Sequence, residues 1–88
     1  MSTETVEYIR ELRGIPLWLL QEYLVELGGE AVDHQVLGAG WKASLQQLED
    51  YRLGSIRVGQ VRLEIRADTA AFELLKPHLE KKLLRAGG

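Results

Sequence analysis

The stretch IRVGQVRLEIRAD, Ile56 to Asp68, decides the fold. From Gln60 onward Val61, Leu63, Ile65 and Ala67 alternate with Arg62, Glu64 and Arg66. A strict period of two belongs to a strand with one buried face and one solvated face. Ile56 and Val58 alternate around Arg57 in the same way. Between the two runs stands Gly59-Gln60, and glycine at the first position of a two-residue loop suits a type II′ turn. The expected structure is a hairpin that sets Val58 beside Val61 and Ile56 beside Leu63 on the core side. On the outer face the same register puts Arg57 opposite Arg62, a mildly unfavourable like-charge pair.

Upstream, Trp41, Ala43 and Leu45 alternate with Lys42, Ser44 and Gln46, again as a strand, but Leu48 breaks the phase. A bulge near Gln46-Gln47 would restore it. A helix from Ser44 is the rival reading, with Leu45, Leu48 and Tyr51 at helical spacing and Gly54 as its stop. Glu30 to Leu37 alternates too, with Val32, His34 and Val36 on one side, and Gly38-Ala39-Gly40 turns it into the next segment. Glu4 to Arg13 admits two readings: Val6 and Tyr8 alternate around Glu7, while Val6, Ile9 and Leu12 also suit a helix ending at Gly14.

Two helices are expected. Pro16 fits a first-turn position, Gly28-Gly29 fits a stop, and Leu17, Leu20, Leu24 and Leu27 form a stripe between them. Trp18 and Val25 lie on the opposite flank, leaving only Glu22 and Glu26 as a polar edge. The second helix is capped by Asp68 or Thr69 and carries the stripe Phe72, Leu75, Leu79, Leu83 and Ala86. Pro77 projects away from that stripe and is expected to kink the helix. With the first segment read as a strand, the order is β-α-β-β-β-β-α, an α+β domain whose antiparallel sheet carries both helices on one face.

Composition narrows the function. Eighty-eight residues make one small domain, residues 1–88, with little room for a catalytic cleft between lobes. A net charge of −2 does not suit a polybasic nucleic-acid binder. The chain has no cysteine, which excludes disulfides, thiolate catalysis and cysteine metal sites. No apolar run approaches the roughly 20 residues of a membrane span, and MSTETVEYIRE lacks the features of a signal peptide. A cytoplasmic location is therefore expected. Absent asparagine, a single methionine and an excess of arginine over lysine fit a thermophilic source.

Few residues offer chemistry. Gly38-x-Gly40-x-x-Ala43 matches a loose dinucleotide fingerprint. Its preceding segment, however, carries Asp33, His34 and Gln35, unlike the apolar run of a central parallel strand. A glycine-containing turn explains it better. His34, expected half-buried on its strand, and His78, expected solvated on the last helix, are too far apart in sequence to suggest a metal pair. Neither a nucleophile nor a base is placed by any motif, so no enzyme and no cofactor are expected. Arg57, Arg62 and Arg66 around Glu64 form a candidate anion patch, with a solvated charged face as the simpler reading. Trp18, Val25 and Trp41 form a candidate interface, because a helix apolar nearly all round needs a second surface to cover it.

The segments GWKASLQQLEDYRLGSIRVGQVRLEI and PLWLLQEYLVELGG resemble a domain of MoaD-related proteins, that is, proteins related to the small subunit of molybdopterin synthase, from thermophilic bacteria. In those proteins it follows a ubiquitin-like domain and has a TBP-like β-α-β4-α fold. The resemblance implies a place near sulfur transfer or molybdenum-cofactor assembly and supplies no catalytic residue; the ubiquitin-like half is expected to be absent. Sulfur carriers of the ubiquitin type act through a terminal Gly-Gly, and this chain ends LLRAGG. Here helical periodicity runs almost to Gly87 and Gly88, which then read as a helix stop with too little reach. Three functions follow as expectations. The leading one is a non-catalytic domain that binds a protein partner, or itself, through the Trp18/Val25 flank. The others are a small-molecule binder with a hollow between the last helix and the sheet, near Phe72 and Trp41, and a carrier acting through Gly88.

Overall fold

The computed structural model describes residues 4–85. The chain runs β1 (Thr5–Arg13), α1 (Leu17–Glu26), β2 (Glu30–Val32), β3 (Gln35–Gly38), β4 (Trp41–Leu53), β5 (Ile56–Asp68) and α2 (Thr69–Arg85). The five strands form one sheet in the order β1-β5-β4-β3-β2, with every neighbouring pair antiparallel. This is the α+β class read from the sequence, with the expected element order. Alternation prevails over helical spacing at both doubtful segments, since each pairs along its length with β5.

One face of the sheet is covered. Leu12 of β1, Val61, Leu63, Ile65 and Ala67 of β5, Trp41, Ala43 and Leu45 of β4 and Val36 of β3 point into a core closed by Leu20 and Leu24 of α1 and by Leu75, Leu79 and Leu83 of α2. Every buried residue among those described is apolar. Pro77 sits on the solvent side of α2, where its missing N–H is lost from the ladder without disturbing the leucine stripe. Phe72 packs on Tyr8 with ring centroids 5.4 Å apart. At the chain's start, Thr69 donates both its backbone N–H and its hydroxyl to the Glu4 carbonyl, at 3.2 and 3.3 Å.

Two parts of the chain are cut differently from the expectation. Gly59-Gln60 is no turn: β5 continues through it from Ile56 to Asp68, and the loop is Gly54-Ser55 instead. Gly54 has φ +63°, and Leu53 pairs with Ile56 across it. Hence Val58 faces Tyr51, and Arg57 faces Arg52 rather than Arg62. β1 settles the matter by pairing down to Arg13 opposite Gln60, after which the Gly14 N–H donates to the Gly59 carbonyl at 2.8 Å. Glu30–Leu37, read as one strand, is a short hairpin turning at Asp33-His34, where Asp33 adopts φ +56°. Aspartate is among the few residues that accept that conformation readily. His34 is thereby exposed in a turn, not half-buried on a strand.

The bulge exists but lies further along. Gln46, Gln47 and Leu48 stay in register with Arg62, Val61 and Gln60, and the shift falls between Leu48 and Tyr51, where Glu49 and Asp50 oppose Gly59 alone. Leu48 broke the pattern because it lies on the face away from the helices, on the same side as Gln60. The motif Gly38-x-Gly40 is likewise structural. A Cβ on Gly38 would enter the Trp41 indole, and one on Gly29 would meet the same ring at 2.7 Å. Gly40 turns the chain at φ +78°. The glycines make room for a tryptophan and a tight loop.

Candidate interaction surfaces

α1 is buried through Leu20 and Leu24 and presents Trp18, Glu22 and Val25 outward, at positions i, i+4 and i+7 of one helical row. Trp18 is 64% exposed and Val25 42%. The two residues expected to form a flank therefore share one. Trp41 does not join them: it is 8% exposed, clamped under Gly38 and Gly29 within the core. Near the far end of α1, Lys82 of α2 reaches Glu26 at 3.4 Å and lies 5.4 Å from the Tyr23 ring, which ties the helices together.

The three arginines are not brought together. Arg62 meets Glu64 at 3.3 Å and Arg66 meets Glu7 at 2.8 Å, so two of the charges are compensated on the open face of the sheet. Arg57 sits elsewhere, opposite Arg52. A depression of about 320 Å³ on this open face is lined by Glu7, Glu64, Lys42, Arg66, Ser44 and Ile9, a mixed set with no preferred sign.

A hollow does lie beside the last helix. Leu27, Ala39, Trp41, Ala71, Leu74, Leu75 and His78 line about 290 Å³ between the end of α1, the β3–β4 turn and α2. Trp41 forms one wall, whereas Phe72 turns to Tyr8 instead. Among the described residues no group of three or more His, Asp or Glu could hold a metal ion, and no buried side-chain polar atom lacks a partner. No helix among the described residues is long and apolar enough to cross a membrane. Gly87 and Gly88 lie outside the described residues.

One feature escaped the sequence reading. Beyond the bulge, β4 and β5 continue as a two-stranded arm, Tyr51 to Val58, past the last β1 pairing at Arg13 and Gln60. Leu53 and Ile56 at its tip are 62% and 60% exposed. The Arg13 guanidinium lies 3.6 Å from the Tyr51 ring centroid at its root. The signal was present as YRLGSIRV, in which apolar-Arg-apolar is mirrored across Gly-Ser. Placing the turn at Gly59-Gln60 hid it.

Fold and surfaces define a small antiparallel α+β domain with an apolar core, two helices on one face and its distinctive residues on outer surfaces. A family model described as archaeal MoaD-like protein matches residues 8–88, and the chain belongs to that family. No curated protein matches the sequence.

Proposed function

We propose that this protein is a non-catalytic accessory domain in sulfur transfer or molybdenum-cofactor assembly that holds a partner protein against the outward row of α1. Family membership supports the setting. The observation that carries the binding role is Trp18, more than half exposed beside Val25 on a helix whose other face is fully used by the core. Tryptophan is enriched among interface residues that carry most of the binding energy. Glu22 between the two would sit at the rim or meet a cation on the partner. A TBP-like sheet, a thermophilic source and a cytoplasmic location belong to the same proposal.

The test is native and intact mass spectrometry of the protein isolated from its own organism, beside a Trp18→Glu variant. A stoichiometric partner that is lost in the variant, with an unchanged circular-dichroism spectrum, supports the reading. Undiminished binding of that partner protein by Trp18→Glu sinks it.

Two further readings each have an observation behind them. The hollow beside α2 has an apolar floor and one imidazole at its rim, near the lower end of ligand-site volumes of about 300–1,000 Å³. A small molecule retained in the native spectrum would move the assignment there. Membership of a MoaD-like family supports a carrier as the other reading. A terminal carboxylate with one oxygen exchanged for sulfur would make Gly88 the working residue.

A further inference from the structure

The arm carries charges that the described residues of its own chain leave unanswered. Glu49 and Asp50 at its root and Arg52 and Arg57 near its tip are all exposed, and none joins an ion pair among the described residues. Arg52 and Arg57 stand directly opposite one another, a cross-strand arrangement that is unfavourable in isolation. On β4 and β5 themselves the sign is thus divided, with two carboxylates at the root and two guanidinium groups near the tip, while Arg13 of β1 is stacked on Tyr51 at the root. Beside them, Leu53 and Ile56 form an exposed apolar pair, in line with Tyr51 and Val58 on the same face.

The edge of the arm is also open. β3 leaves β4 after Gln35 opposite Ser44, with a last bond from the Leu45 N–H to the His34 carbonyl at 2.8 Å. From Gln46 to Leu53 β4 has no strand on that side among the described residues. Open edges of this length invite pairing with another chain.

We infer that a second copy of this chain occupies that edge, with the two arms lying antiparallel about a two-fold axis. Self-complementarity is what such an isologous contact requires. An axis beside the Asp50–Tyr51 peptide brings Glu49 of each copy opposite Arg52 of the other and Leu48 opposite Leu53. Arg57, on the same face as Arg52, backs it against the acidic root of the second copy. The charge division becomes two equal clusters, and the like-charge pair within each arm gains a counter-charge. A parallel alignment would instead set arginines on arginines. This surface is separate from the α1 row, so the two readings fail independently.

The experiment is sedimentation velocity on the full chain across concentration, with two charge variants and their mixture. The wild type is expected to show a concentration-dependent dimer that weakens with added salt. Arg52→Glu with Arg57→Glu gives an all-acidic arm, and Glu49→Arg with Asp50→Arg an all-basic one. Each alone should dimerise about 100-fold more weakly, because like charges set face to face across an interface are strongly disfavoured. Mixing the two should restore a heterodimer, and so should all four changes placed in one chain. Trp18→Glu should leave the dimer unchanged. A wild type that is monomeric at every concentration, single-sign variants that dimerise like the wild type, or folded variants that stay monomeric when mixed would each overturn the inference. Circular dichroism on every variant identifies any that has not folded, and the four-change chain then decides the matter in its place.

Discussion

Trp41 illustrates how much one residue's setting depends on small neighbours. Its indole occupies the space that a side chain on Gly38 would need, so Gly38→Ala is expected to destabilise by about 1–3 kcal/mol through overpacking, measured by urea denaturation. Trp18 is the counter-case. Its ring lies outside the core, and Trp18→Ala should change stability by no more than roughly 0.5 kcal/mol, as surface substitutions do. The two tryptophans look alike in the sequence, which makes both candidates for one interface. Their neighbours separate them: Trp41 stands in a strand phase shared with Ala43 and Leu45, all buried, whereas Trp18 is one position out of phase with the Leu20 and Leu24 stripe.

Among the elements, the β4–β5 hairpin shows how local chemistry can be right in kind and wrong in place. Glycine at the first position of a two-residue loop was the correct signal, but Gly54-Ser55 and Gly59-Gln60 both satisfy it. Gly54 adopts φ +63° and has nothing nearby for a Cβ to meet. Gly54→Ala should therefore cost about 1 kcal/mol, the strain of a left-handed backbone on a residue with a side chain. Gly59 lies within β5 without a positive φ, and a Cβ there meets nothing within 4 Å. Gly59→Ala should be neutral or stabilise by up to about 1 kcal/mol, by narrowing the unfolded ensemble. In thermal melts Gly54→Ala should lower the midpoint and Gly59→Ala should not, and the reverse pattern would return the turn to Gly59. Local residues could not choose between these sites. The choice was made by β1, whose pairing with β5 through Gln60 requires a continuous strand there.

At the scale of the whole molecule the arm sets the shape. The principal extents are 53 × 24 × 22 Å, and the thirteen residues of β5 alone span about 43 Å at roughly 3.3 Å per residue. Replacing Tyr51–Val58 by a two-residue Asn-Gly turn should shorten the maximum dimension in small-angle scattering by about 10 Å, three ladder steps. The core should survive, because none of its residues lies beyond Leu45 on β4 or before Val61 on β5. A body that unfolds on losing its arm would mean that the arm supports the sheet.

Both helices, the α+β class and the buried face of Val61 to Ala67 were legible in the residues alone, because periods of two and 3.6 are imposed by backbone geometry and act locally. The core side expected for Ile56 and Val58 was not, since the unbroken β5 turns them to the opposite face. The leucine stripes of both helices and the alternation of Val61 to Ala67 needed no partner to be read. What only the tertiary structure decided was which of several equivalent local solutions is used: which glycine turns, where the strand bulges, which tryptophan is covered and which arginines are paired. Each of those depends on a neighbour brought from elsewhere in the chain, β1 beside β5, Gly29 beside Trp41, Glu7 beside Arg66. Contacts between distant segments leave no periodic trace in the sequence, and the projecting arm became visible only when the strand on one side ended before it did.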